Sequence, residues 1–388
     1  VLSGKVSEGV GGVTLQVDLI DVAREAQLWG ERYSGVEKNV LDAQGDIAAN
    51  VSERLRLSLR DADRGRITKL YTRDSEAYQL FLRGRYLVEK GDPDSQRKGI
   101  EYFHRATVRD PDFALAFAQI AYTYTYLDAL GAISGNEAAP KALEYVEKAL
   151  AIDDELAEAH VYLGDVKTVY QWDWPGAERE YRRGLALNPA SGMAHRSYAL
   201  YLVCVKRFEE AISEMRRALE LEPLSGLFNH EMTAVLYFSR RFDEAIQQGL
   251  TTVELSPENP ISHWYLHKAY VQRERFAEAF AQVEVFFEGS PEAQQDYRRA
   301  FESSGWPGYL RKRLERLRSE TLREYVPPYS VAEIHAQLGE KEEALEWLAR
   351  AVADHDDKVT FLAVEPNLDP VRSESRFQEM LRAVKLQE

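Results

Sequence analysis

Three stretches decide the fold: FEEAISEMRRALELEP at 208–223, FDEAIQQGLTTVELSP at 242–257 and FAEAFAQVEVFFEGSP at 276–291. Each opens on phenylalanine, places alanine three residues later and closes on proline. The ladders Phe208, Phe242, Phe276 and Ala211, Ala245, Ala279 and Pro223, Pro257, Pro291 all step by 34 residues, and Ala177 and Pro189 extend the last two upstream. Three ladders in one register mark a repeat array, whose units bury their apolar faces only against their neighbours. Each residue type has a physical reason. A small side chain at the alanine position lets two helix axes approach closely. The aromatic is expected to fill the wedge between the helices. The proline cannot continue a helix, so it ends one and pre-sets the next start.

The same grammar continues upstream. Ala142, Val146 and Ala149 precede Ala177, with Asp153 and Asp154 in the proline's place as a helix cap. Gly99, Phe103 and Ala106 form an earlier unit ending at Pro111, and the longer gap that follows implies an insertion around Ala132–Pro140. Downstream, Ala344, Leu348 and Ala351 mark a further unit. The expected organisation is six repeats over 75–291, a degenerate helical pair over 292–327, and a final repeat with a capping helix over 328–388. In that cap, Ser375–Leu386, the residues Phe377, Leu381 and Val384 share one helical face. A unit of two helices with this length, a small residue near its middle and a closing proline resembles the tetratricopeptide repeat. The resemblance implies a mainly α chain, a right-handed α-solenoid, and a concave groove that binds a protein or peptide partner.

Residues 1–62 do not repeat. Val13, Leu15, Val17 and Leu19 alternate with polar residues, the period of a half-buried strand. Val1–Val6 reads as the strand before it, joined through Gly9, Gly11 and Gly12, and Ala26–Tyr33 as a third. Ile47, Val51, Leu55 and Leu59 are spaced for an amphipathic helix, and 63–74 reads as a linker. The result is a small α/β module that starts abruptly, so it is expected to be truncated. Its unpaired sheet edge is a candidate for self-association. The runs VLSGKV, VTLQVDLIDV, QLWGERY and LDAQGDIAANVSERL resemble the second half of a TolB-like amino-terminal domain. SEAYQLFLRGRY, YQWDWPGAEREYRRGLALNP and YVPPYSVAEIHAQLGEKEEALEWLARA resemble the repeats that follow that domain in bacterial serine/threonine kinases, adenylate cyclases and winged-helix regulators. The resemblance implies an interaction scaffold or sensor region behind an effector domain. No kinase signature lies in these residues. The glycine usual early in each repeat is present as Gly84 and Gly164, but is Ala121, Ala199, Thr233 and His267 elsewhere.

Among the 388 residues, Lys plus Arg number 49 and Asp plus Glu 64, a formal charge of −15. That balance argues against nucleic acid as a partner, because a phosphate binder needs a basic face. A hydrophobic content of 45% is enough for a large core. No apolar run approaches a membrane span. The lone Cys204 excludes an internal disulfide and reads as a small buried hydrophobe. No cofactor, metal or catalytic residue is expected. Cytoplasmic placement is expected, with an extracytoplasmic part of a membrane-anchored regulator as the alternative.

Counting back from the alanine ladder fixes which residues of the first helices face the groove. They are Tyr122 and Tyr126, then Val161 and Asp165, then Met193, Arg196 and Leu200. His230, Tyr237 and Phe238 follow, and last Trp264 and Lys268. Aromatic and cationic side chains on a concave face suit an extended or helical peptide. The competing reading packs them against neighbouring first helices. Other constellations read as structural. His263 and His267 have a metal-compatible spacing but lack a third ligand. His230 and Glu231 fall short of a zinc-protease motif, since Ala234 stands where the second histidine belongs. Asp354, His355, Asp356 and Asp357 read as a solvated helix end. Arg311, Lys312, Arg313, Arg316 and Arg318 could contact an acidic partner or a membrane surface, but read as a solvated basic face paired with Glu315 and Glu320.

Overall fold

The computed structural model describes residues 2–9, 12–21, 24, 26–34, 71–257, 259–285, 291–319 and 326–386. The chain forms two compact units, one of residues 1–91 with 97–116, the other of 92–96 with 117–388.

The first unit holds an antiparallel meander: β1 (Leu2–Gly9), β2 (Gly12–Asp21) and β3 (Ala26–Ser34), in that order. Gly9 sits opposite Gly12, which closes the expected hairpin, and a register shift falls at Leu19/Ile20. The alternation read from sequence holds at the centre of the sheet. Val17 is buried, while Gln16, Asp18 and Gln27 hydrogen-bond to one another in a polar cluster. The helix expected around Ile47–Leu59 lies outside the described residues. The same unit carries α1 (Ser75–Val88) and most of α2 (Pro93–Arg109). Asp74 caps α1 by accepting from the amides of Glu76 and Ala77, and Arg109 clamps the cap at 2.8 Å. A Cβ on Gly84 would come within 2.5 Å of the Phe103 ring, so glycine is what lets these two helices meet.

The second unit is a stack of helical hairpins. They are α3 (Ala114–Ala129) with α4 (Gly135–Ile152), α5 (Ala157–Val166) with α6 (Trp174–Leu187), and α7 (Gly192–Cys204) with α8 (Phe208–Leu221). Next come α9 (Gly226–Phe238) with α10 (Phe242–Leu255), and α11 (Pro260–Gln272) with α12 (Phe276–Glu284). The long α13 (Pro291–Ser319) is broken at Gly305, where φ is 63° and ψ −154°. Then follow α14 (Pro328–Gln337), α15 (Lys341–Ala353), 3-10 turns at Asp357–Phe361 and Pro366–Val371, and α16 (Ser375–Ala383). The second unit is thus a tetratricopeptide-type α-solenoid, and the three-stranded sheet precedes it in the chain.

The repeat's chemistry is visible atom by atom. Ala142, Ala177, Ala211, Ala245, Ala279 and Ala344 are all fully buried at the helix crossings. After each proline a side chain caps the next first helix: Ser191, Ser225 and Asn259 accept from the amides of Ala194, Phe228 and Ile261. Each first helix ends on a residue in the left-handed region: Lys206 (φ 62°), Arg240 (φ 59°) and Glu274 (φ 56°). The next amide reaches back to Leu202, Leu236 and Tyr270, the 6→1 bond of a Schellman motif. The phenylalanine ladder corrects an expectation. Phe208 and Phe242 are only half-buried and Phe276 is 36% exposed, because each is the first residue of its helix, at the end of the hairpin beside the turn. Ile212, Ile246 and Phe280, one turn further in, are buried within the wedge instead.

A second ladder was not foreseen. His160, His195, Asn229 and His263 occupy one repeat position. Each bonds the backbone carbonyl six residues earlier: Asp154 at 2.9 Å, and Pro189, Pro223 and Pro257 at 3.0 Å. The other end of each side chain bonds the second helix, at Glu180, Glu214, Gln248 and Gln282. These clamps tie the turn before a repeat to the helix after it.

Candidate functional site

The twelve residues expected to face the groove lie on consecutive first helices, and these helices touch one another. Tyr122 of α3 lies 5.0 Å from Tyr162 of α5, ring to ring. Arg196 of α7 pairs with Glu231 of α9 at 2.5 Å. His230 and Tyr237 of α9 meet Tyr265 of α11 at 5.1 and 5.7 Å. Asp165 accepts a hydrogen bond from Tyr181 at 2.9 Å, and burial pushes its carboxyl up to about 6.

None of the twelve is exposed. Val161, His230, Tyr237, Phe238 and Lys268 are buried, and Tyr122, Tyr126, Asp165, Met193, Arg196, Leu200 and Trp264 are half-buried. The groove is therefore not the open surface the sequence led us to expect. Part of the reason is the first-helix packing just described; the rest is an occupant. The chain's own segment 356–371 lies against α9 and α11. Phe361 stacks on Phe238 with centroids 4.5 Å apart and rings 2° from parallel. Tyr237 donates its hydroxyl to Glu365. Lys268 Nζ lies 2.6 Å from Glu333 of α14 and 3.0 Å from Glu365. Gln272 donates to Asn367 at 2.7 Å. Arg240, just past α9, grips Asp369 in a two-pronged pair at 2.8 and 2.7 Å. Flanking contacts hold the ends: His355 stacks on Trp172 at 4.6 Å, and Trp174 donates to the Val384 carbonyl at 3.0 Å. Between α11, α13 and α14 there remains a cavity of about 10 Å³ beside Trp264, Arg313 and Glu333, room for one water.

The charges in this interface are unevenly paired, for Asp369 has two arginines, Arg240 and Arg372. Glu333 and Glu365 share one ammonium, that of Lys268, and their exposures are 5% and 1%. Burial is the main reason Glu365 is pushed up to about 7, partly offset by Lys268. The second junction is similar. Asp128 at the end of α3 faces Asp356, Asp357 and Lys358. Lys358 contacts Asp357 at 3.2 Å and reaches the Ala129 carbonyl at 3.5 Å. Burial, then the charges of Asp357 and Asp356, push Asp128 up strongly. The Asp354–Asp357 cluster expected in solvent is thus corrected at Asp356. It is 2% exposed and accepts the amides of Tyr329 and Lys358 at 3.1 Å.

The remaining candidates resolve locally. His263 spends both ring nitrogens in the repeat clamp, and His267 packs edge-on against Trp264 at 5.2 Å. Among the described residues no group of three or more His, Cys, Asp or Glu is placed to hold a metal ion. No described helix is long and apolar enough to cross a membrane. Cys204 is buried, which pushes its thiol up to about 12, and it lies within hydrogen-bond reach of Thr360. On α13, Lys312 pairs with Glu315 at 3.1 Å, while Arg313 and Arg316 lie over Trp264 and Tyr297. The sequence reading missed Glu333, Phe361, Glu365 and Asn367. A signal was present: Val359, Leu362, Ala363, Val364, Leu368 and Val371 form an apolar run denser than a solvated turn requires, and all are buried.

Comparison with known proteins places this geometry. A family model described as tetratricopeptide repeat matches residues 169–225. Among curated proteins, "Putative adenylate cyclase 3" of Rhizobium meliloti (strain 1021) is 26% identical over 121 residues, 31% of this chain and 21% of that protein. The chain thus spans about a fifth of that relative's length. Among solved structures, the human IFIT1 dimer with m7Gppp-AAAA aligns with a TM-score of 0.55 at 15% identity, covering 88% of this chain and 77% of that one. PilF of Pseudomonas aeruginosa aligns with a TM-score of 0.41 at 21% identity, covering 55% and 96%. The likeness to IFIT1 is one of fold.

Proposed function

We propose that this chain is a non-catalytic interaction and regulatory region of a bacterial signalling protein, and that its concave face binds a protein or peptide segment. The observation that carries the reading is the grip of Tyr237, Phe238, Arg240, Lys268 and Gln272 on an irregular stretch of polypeptide. A surface that holds one extended segment through aromatic stacking and charge-assisted bonds has the chemistry to hold another. The tetratricopeptide match supports the interaction role. The likeness to a putative adenylate cyclase supports an effector elsewhere in a longer protein, a cyclase first, with a serine/threonine kinase or winged-helix regulator as other effectors. In the same reading 1–62 is the TolB-like module, 63–74 a linker, and the work is cytoplasmic. Human IFIT1 was solved with m7Gppp-AAAA. A formal charge of −15 speaks against that class of ligand here.

A second reading is a dimerising or small-molecule-responsive sensor. It is favoured by β1 and β3 forming the two edges of the meander. Light scattering on the full chain separates the two, since edge pairing doubles the mass and a groove binder stays monomeric. The groove itself is tested by photo-crosslinking in cells. A crosslinker at Trp264 is expected to capture a partner that one at Leu255, exposed on α10, does not. Equal capture from both positions, or none from Trp264, overturns the groove reading.

A further inference from the structure

The segment in the groove displays the ligand chemistry the groove accepts. Reading outward from α9 and α11, Phe238 takes an aromatic ring, Tyr237 and Lys268 take a carboxylate, Gln272 takes an amide and Arg240 takes a second carboxylate. The segment meets these needs with Phe361, Glu365, Asn367 and Asp369. It is not a repeat helix: two short 3-10 turns carry it. Its shape is held largely from within, since Arg372 donates to the carbonyls of Ala363 and Glu365 at 2.7 Å. The amide of Asn367 bonds Glu365 at 3.0 Å. The segment is opposed by a local excess of negative charge, with two carboxylates on Lys268 and three around Lys358. Buried carboxylates short of cations weaken the closed state relative to an open one in which water solvates them.

We infer that residues 356–371 are a displaceable internal ligand, and that the concave face accepts from a partner protein an acidic peptide of the same order: an aromatic, a glutamate four residues on, an asparagine two further and an aspartate two further. The inference rests on the concave face being the binding surface. Opening uncovers Leu362 and Leu368, so the partner peptide must carry apolar residues at those places as well. The open state is sparse, and the apparent affinity falls by the fraction of chain that is open.

Cys204 reads the opening without a mutation. It is the chain's single cysteine, 2% exposed, and it sits against Thr360. In the full chain, thiol labelling is expected under native conditions at a rate insensitive to low urea, and faster in Phe361→Ala. A fluorescein-labelled peptide of residues 355–372 is expected to bind Phe361→Ala/Asp369→Ala chain roughly ten-fold more tightly than the unaltered chain. The same peptide lacking the phenylalanine and glutamate should not bind. Labelling of Cys204 only at the rate of global unfolding, with the same urea dependence, would overturn the inference. So would failure of the peptide to bind a variant whose thiol labels freely. A closed groove leaves the interaction role standing if the Trp264 crosslinker still captures a partner, so the two readings fail separately.

Discussion

At the scale of single residues, this solenoid depends on a few positions where an added or lost atom has nowhere to go. A Cβ at Gly164 would lie 2.7 Å from the Tyr181 ring. That ring cannot swing aside freely, because its hydroxyl is held by Asp165 at 2.9 Å and Thr168 at 3.1 Å. Gly164→Ala should therefore cost about 1–3 kcal/mol of stability, read as a lower urea midpoint. Lys206 is the opposite case. It holds φ at 62°, which an L side chain adopts at some expense. Lys206→Gly should raise stability by up to about 1 kcal/mol, and a lower melting temperature would refute the strain argument. The His195 clamp adds a pH-dependent element. Burial disfavours its charge, but hydrogen bonds to Glu214 and Pro189 outweigh that and raise its pKa above the ordinary 6.5. A raised base contributes stability that is complete below its unfolded value and is lost as pH rises through its folded value. His195→Ala should thus cost about 1–2 kcal/mol near pH 6 and less near pH 8.

At the scale of elements, helices and connecting segment differ in how far their sequence announces them. The hairpins were legible because close helix crossings demand alanine, and turns demand proline and a cap, at a fixed spacing. Ala211 and Pro223 carry that period, and the cap at Ser225 follows it. That Tyr237 and Lys268 share a face was legible from register alone, and both side chains touch Glu365. The occupant of that face was not. Residues 356–371 have neither the period of a helix nor that of a strand, and what fixes them is tertiary: a ring on Phe238 and a carboxylate on Lys268. The cost of breaking that contact is testable. Lys268→Met would strand Glu333 and Glu365 without a cation and should cost about 3–5 kcal/mol. Adding Glu365→Gln should recover part of it. By contrast Arg217, paired with Glu220 at side-chain exposures of 50% and 65%, should lose less than about 0.5 kcal/mol on replacement by alanine.

At the scale of the whole chain, these charges converge on one pH profile. Glu365 is pushed up to about 7, chiefly by burial, while Lys268, Glu333, Tyr237, Tyr265, Tyr329, Arg240 and Arg372 surround it. Asp356 is pushed up to about 6 beside Lys358 and Asp357. Asp128, pushed up further still, faces these three and Tyr170. A carboxyl raised in the native state holds protons that the unfolded chain has released, so its contribution is complete below about pH 4 and is lost as pH rises through the raised value. Two other sets of groups act elsewhere. Ion-paired Glu178, Glu180 and Asp369 are lowered, which removes stability only in acid, below the ordinary carboxylate range. Buried His230 and His267 are lowered, which adds stability only as pH rises toward 6.5. Above that point the raised groups are left to act, and His195 acts with them. Across pH 6.5 to 8.5 none of these lowered groups opposes the raised ones, so stability should fall by about 1–2 kcal/mol over that interval. Urea midpoints at the two pH values would read this directly. The Glu365→Gln chain should show a flatter profile. A stability that holds or rises across that interval in the unaltered chain would mean that the two lysines balance the buried carboxylates after all, and that the segment in the groove is not held under electrostatic tension.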